Sequence, residues 1–243
     1  MNVMAWDWQF FLQDDGSGRS YLKWMLDAWG WTLAVAGCAW VVALVMGLLI
    51  GTLQTLVGRP WLARLARAWV ELFRNIPLLV QIFLWYFVLP RLFAPMQQLP
   101  GFVLVVLALG LFTSARMAEQ VRAGIEALPK GQRYAAMAMG LTTLQTYRYV
   151  ILPLAFRIIL PPLTSETMNL LKNSSVAFAV SISELTMFAM QAQEETSRGI
   201  EIYLAVTALY VVSALTVNRL MAWLERRVQI PGFAVATGAG GGR

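Results

Sequence analysis

Residues Trp29 to Leu56 form an apolar run free of charged side chains, longer than the roughly 20 residues that cross a bilayer core. Four further runs follow, at about Ile76 to Phe93, Phe102 to Arg116 (continuing as a more polar helix), Leu152 to Ile182 and Ile202 to Leu224. Inside hydrocarbon every backbone N–H and C=O must be paired within the chain, so runs of this kind fold as helices. The chain is therefore expected to be an all-α membrane protein with about five transmembrane helices. Its composition, 58% hydrophobic and 13% charged, agrees. The first run is too long, and preceded by too much chain, for a cleavable signal peptide.

The residue inventory excludes whole classes of chemistry. There is no His, and Cys38 is the single Cys, set in an apolar run. This leaves no disulfide, no Cys/His metal site, no His-dependent nucleophile and no histidine switch. The net charge of +6 does not mark a nucleic-acid binder, because the cations gather between apolar runs. Arg59, Arg64 and Arg67 follow the first run, Arg122, Lys130, Arg133 and Arg148 the third, and Arg226 and Arg227 the last. With five spans all three groups share one side, and the positive-inside rule makes it cytoplasmic. The N-terminus is then outside and the C-terminus inside. Splitting Val150 to Gln191 into two spans would push a basic end outward, and is disfavoured.

Three regions result. Residues 1–28 form an outer, interfacial segment in which Trp6, Trp8, Phe10, Phe11 and Trp24 seat the chain among headgroups. Residues 29–224 form the membrane domain, with a loop at about 122–151. Residues 225–243 form a cytoplasmic tail, glycine-rich and disordered from Ala234.

The loop between the third and fourth spans has helix formers at Ala123 to Ala127 and Arg133 to Met139, punctuated by Pro129, Gly131 and Gly140. Short helices joined by sharp turns are expected. Gly140 permits a positive φ, and Ala135, Ala136 and Ala138 allow another backbone to approach closely. Such a surface suits docking or packing on the loop's own helices, and Met137 and Met139 are expected to pack.

Read from Tyr134, the sequence Ala135-Ala136, then Gly140, then Leu152-Pro153 resembles the Glu-Ala-Ala motif of type I permeases of binding-protein-dependent ATP-binding cassette (ABC) importers, with Tyr134 in place of the Glu. Glu71 to Gln81 (Glu-Leu-Phe-Arg-Asn-Ile-Pro-Leu-Leu-Val-Gln), Leu128-Pro129-Lys130-Gly131-Gln132 and Asn169 to Ser175 (Asn-Leu-Leu-Lys-Asn-Ser-Ser) resemble the polar amino acid branch. Trp6-Asp7-Trp8, Pro161 to Glu166 and Glu225 to Val228 are similar to glutamate/aspartate importer permeases. The elements run in family order over nearly the whole chain.

The resemblance implies a permease subunit in a bacterial inner membrane. Its expected partners are a cytoplasmic ABC ATPase dimer, a second permease chain, a periplasmic amino-acid-binding protein and membrane lipid. Coupling to the ATPase falls to Tyr134, Ala135, Ala136, Gly140, Leu152 and Pro153. Replacing the motif Glu by Tyr134 removes any ion pair that a Glu there would make with the ATPase. No Gly-x-x-x-x-Gly-Lys-Ser/Thr run occurs, so ATP is expected on the partner chain, with no cofactor, metal or catalytic residue here.

Polar residues within apolar runs mark candidate path residues, since each needs a partner or a wet cavity. Glu166, Asn169 and Lys172 are read as one face of the fourth helix, with Asn173 beside them, and Arg74, Asn75 and Gln81 contribute from the second. Lys172 either lines the path or ties helices together. Arg74 serves the path or anchors topology. Glu184 reads as a surface carboxylate near the outer interface. Two alternatives remain: a permease for another polar amino acid, and an ion-coupled secondary carrier, which would need more intramembrane carboxylates and usually an internal repeat.

Overall fold

The computed structural model describes residues 6–228; the tail from 229 onward, including the disorder expected from Ala234, lies outside the described residues. No strand occurs among them. A 3₁₀ turn at Trp8–Leu12 precedes α1 (Tyr21–Gln54), α2 (Pro60–Asn75), α3 (Leu78–Leu92), α4 (Gly101–Glu126), α5 (Lys130–Ala138), α6 (Thr143–Val180), α7 (Leu185–Thr196) and α8 (Gly199–Val228). Helices α1, α4, α6 and α8 are each long and apolar enough to cross a membrane. The pair α2 and α3 makes a fifth crossing only as a broken span, its arms bent by 103°. The expected second span is thus shorter and sharply entered. Pro77 cannot donate a backbone N–H and disfavours helical geometry at Ile76, whose ψ is 128°. Helix α2 before the bend is amphipathic, burying Ala63, Ala66, Val70 and Phe73 at helical spacing.

The expected boundaries shift at both ends. Helix α1 begins at Tyr21, capped by the Ser20 side chain, and its 34 residues rise about 51 Å, well beyond the bilayer core. Helix α8 runs through Arg226 and Arg227 to Val228, past the expected start of the tail at 225.

The seam between α1 and α4 holds the bundle. Ala39, Ala43, Gly47 and Gly51 recur every four residues and line the buried stripe of α1, the small-xxx-small spacing by which helices approach closely in lipid. A Cβ at Gly51 would stand 2.6 Å from the Ala118 carbonyl oxygen, and one at Gly47 would stand 2.7 Å from the Met117 Cβ. Polar clasps fix the remaining helices: Trp40 Nε1 donates to Thr167 Oγ1 of α6 at 2.9 Å, Trp29 Nε1 to Ser213 Oγ of α8 at 2.8 Å, and Thr164 Oγ1 to Glu225 at 2.6 Å.

Around the N-terminal end of α1 a second core joins Phe10, Tyr21, Trp24, Leu185, Phe188 and Ile202. Phe10, Phe11 and Trp24, expected among headgroups, are buried here, whereas Trp6 and Trp8 are exposed. Arg198 pairs with Asp7 and lies over the Phe10 ring, and Tyr21 Oη donates to Glu195 at 3.0 Å. Glu184 is not the surface group expected from sequence. It is fully buried and caps α7, accepting from the N–H groups of Thr186 and Met187 and from the Tyr210 hydroxyl. Burial pushes its carboxyl above the usual carboxylate range, against the pull of those donors.

Gly51→Val is expected to destabilise the assembled protein by about 1–3 kcal/mol through overpacking. Gly37→Val is a fair control, because a Cβ there meets nothing within 4 Å. Thermal unfolding in detergent compares the two. The hydrogen bond from Arg198 holds the Asp7 carboxyl below its ordinary 3.8. A carboxylate lowered on folding stabilises above its unfolded pKa and loses that contribution as pH falls through the folded one. Limited proteolysis should therefore find the N-terminal segment equally protected between about pH 5 and 8, and increasingly cleavable below about pH 4.

Candidate functional site

Two features stand out at the basic ends of the spans. The first is a charged cleft of about 580 Å³ lined by Arg74, Phe112, Arg116, Glu119, Gln120, Arg122, Ala123 and Glu166. Phe112, Arg116, Glu119 and Ala123 repeat at helical spacing, which puts them on one face of α4. Glu166 enters from α6 and Arg74 from the last turn of α2.

Glu166 is 6% exposed and meets Arg116 through two bonds, Nε to Oε2 at 2.8 Å and Nη2 to Oε1 at 3.3 Å. Such a fork matches guanidinium to carboxylate geometry and holds both groups in place. Glu119 accepts from Arg122 at 2.9 Å and faces Arg74 at 3.9 Å, and Arg122 also reaches Glu126 at 2.6 Å. Three guanidiniums and two carboxylates line the cleft, and Glu126 just outside it pairs with Arg122, so each guanidinium has a carboxylate partner. The arrangement suits an anionic or zwitterionic solute with a carboxylate to offer.

The path residues expected from sequence divide. Arg74 and Glu166 meet in this cleft, and Arg116, which completes their set, was missed. Its signal was a lone Arg closing the third apolar run, opposite an intramembrane Glu. Lys172 is exposed, Asn169 and Asn173 are half-buried, and none of the three lines the cleft. A shared face for Glu166 and Lys172 does not survive, since six residues at about 100° each leave them about 120° apart. Asn75 donates to Glu71 on the exposed side of α2. Gln81 is 1% exposed, and its amide donates to the carbonyls of Phe73 at 2.8 Å and Ile76 at 3.0 Å. It staples the α2–α3 bend and has no access to the cleft.

The second feature is the loop around α5. Pro129 precedes the first turn and Gly140 ends the helix with φ +83°. Gly140 N–H bonds the Met137 carbonyl and Leu141 N–H bonds that of Ala136, the paired closure that requires a left-handed residue. Thr142 and Gln145 then form a capping box. A π-turn at Tyr147–Ile151 comes just before Pro153, with Leu152 N–H bonded to the Tyr147 carbonyl. The wider turn accommodates a proline that has no N–H to give.

Ala136 alone of the expected coupling residues is fully buried, whereas Tyr134 is 65% exposed. Ala135 and Gly140 are also exposed. Met137 and Met139 do not pack as expected; with Leu144 and Tyr149 they stand out as exposed apolar side chains. Tyr147 is buried, receives a hydrogen bond from Arg133 at 2.7 Å and donates to the Thr55 carbonyl. The loop is thereby tied to the end of α1.

The family of binding-protein-dependent transport system inner membrane components matches residues 43–230. The chain is 41% identical over 238 residues to the glutamate/aspartate import permease protein GltJ of Escherichia coli strain K12, covering 93% of this chain and 96% of that protein. It is 34% identical over 203 residues to the glutamine transport system permease protein GlnP of the same organism, covering 83% and 89%. Among solved structures, an amino acid ABC transporter crystallised with histidines superposes with a TM-score of 0.74 at 34% identity, covering 85% of this chain and 95% of that one. The MetNI methionine ABC transporter in an inward-facing conformation shares the fold, with a TM-score of 0.76 at 21% identity, covering 90% and 100%.

Arg116→Met leaves the Glu166 carboxylate buried without its partner, and should cost on the order of 1–3 kcal/mol. Removing both charges should recover part of that loss. Thermal midpoints of Arg116→Met, Glu166→Met and the double variant give the coupling between the two groups.

Proposed function

The chain belongs to the family of binding-protein-dependent transport system inner membrane components, and on that footing we propose that it is the membrane-spanning subunit of an ATP-driven importer of glutamate and aspartate. The observation that carries this reading is its likeness, along nearly its whole length, to a glutamate/aspartate import permease. The guanidinium groups of the α4–α6 cleft, each of which could exchange its carboxylate partner for one on a solute, support an acidic solute. A permease for glutamine or another polar amino acid is the second reading, favoured by the likeness to a glutamine permease.

In this reading α1, α3, α4, α6 and α8 cross an inner membrane, with the N-terminus outside and the C-terminus inside. The excess of Arg and Lys at one end of the spans supports that orientation. A second permease chain completes the path, and a periplasmic binding protein delivers the amino acid. Helix α5 seats its exposed Tyr134, Met137 and Met139 in a groove on a cytoplasmic ATPase. Burial of Ala136 and the Tyr147–Thr55 contact pass movement of that ATPase to α1 and α6. Hydrolysis takes place on the partner, and this chain is a conduit without a catalytic residue, metal or cofactor of its own. The Arg116–Glu166 pair receives the substrate's charged groups as it descends, exchanging bonds within the pair for bonds to substrate. Lys172 stands further along α6, toward the outer side, where it meets the incoming anion or serves only packing.

Liposomes holding both permease chains, the ATPase and the binding protein should take up aspartate only with ATP inside; uptake by this chain alone without ATP would refute the reading. Ala136→Glu should lower uptake more than tenfold, on the order of 1.4 kcal/mol or more in coupling, in a complex that still inserts. An Arg116→Met/Glu166→Met complex that assembles and transports normally would remove the pair from the path. Lys172→Met is judged the same way.

A further inference from the structure

A groove of about 660 Å³ lies apart from the charged cleft, between α1, the start of α6 and the end of α8. Its wall is apolar, from Leu48 and Leu49 on α1 and Leu152 and Phe156 on α6, and two cations stand on it, Arg148 and Arg157. Arg157 is half-buried and Arg148 exposed, and neither forms an ion pair among the described residues. By contrast, Arg74, Arg116 and Arg122 are all neutralised by carboxylates. The level is set by neighbouring contacts: Ile159 packs on Gly124 in the last turns of α4, and Thr52, also on the groove, lies close to the end of α1. The apolar spans give way to the basic loops at this level.

We infer that this groove binds one anionic phospholipid, its phosphate held by Arg148 and Arg157 and an acyl chain laid along Leu48, Leu49 and Phe156. Two unneutralised guanidiniums complement a phosphodiester, and clusters of cations between spans at the basic side select anionic over zwitterionic lipid. The apolar wall distinguishes a lipid from a free phosphate, which would gain nothing from it.

The assembled complex, purified from vesicles holding equal phosphatidylglycerol and phosphatidylcholine, is examined for retained lipid by native mass spectrometry. Wild type should keep phosphatidylglycerol over phosphatidylcholine by about tenfold, and R148Q/R157Q should reduce that preference to about twofold or less. L49W, which fills the groove and keeps both charges, should lose the lipid as well, and it serves if the double variant fails to assemble. Equal retention of the two lipids by wild type, or undiminished retention in these variants, overturns the site. So does a gain of bound lipid in a chain ending at Val228, since the groove would then belong to residues 229–243.

Discussion

The close approach of α1 and α4 is the constraint on which the rest of the molecule depends. In lipid there is no hydrophobic gain from bringing two apolar helices together, so contact must come from shape and from polar clasps. The four-residue ladder of Ala39, Ala43, Gly47 and Gly51 supplies the shape, and α4 lies almost backbone to backbone against it. With that depth fixed, Gly124 can receive Ile159 of α6, and Arg116 meets Glu166. Tryptophan and threonine clasps then lock α6 and α8 to the pair.

Both functional features are consequences of this frame. The charged cleft opens where α4 emerges from the seam and presents its polar face toward α6 and the end of α2. A buried glutamate there meets a fork of guanidinium donors from Arg116, so its polar atoms are partnered inside the bundle. The loop around α5 is built differently. Its backbone is closed by Gly140, Thr142 and Gln145, so its shape is set locally, while Tyr134, Met137, Met139 and Leu144 are left exposed among the described residues. Short, self-capped and apolar at its surface, it has the properties of a part that is completed by another protein.

Much of this was legible in the sequence: the helical class, four of the spans, the loop's helix and its Gly140 stop, and Glu166 as a residue in need of a partner. Periodicity and apolar length are local properties, and local physics fixes them. The family resemblance carried the function, and a permease family does match most of the chain. The Gln81 and Glu184 readings failed for non-local reasons. Gln81 looked like a path residue and is a staple, because the bend at Pro77 brings it under the carbonyls it bonds. Glu184 looked like a surface acid and is buried, because the N-terminal segment and α8 close over α7.

The order of the residues alone determined that the chain must fold as membrane helices and where the loops must fall, since backbone desolvation acts on each segment independently. Tertiary structure alone decided which polar groups meet. Arg116 finds Glu166 across 50 positions, Lys172 is turned away from that pair, and Met137 and Met139 are left exposed. Pairing between distant groups depends on how deeply helices interlock and how they are rotated, and that is set by the summed packing of small residues at the α1–α4 seam.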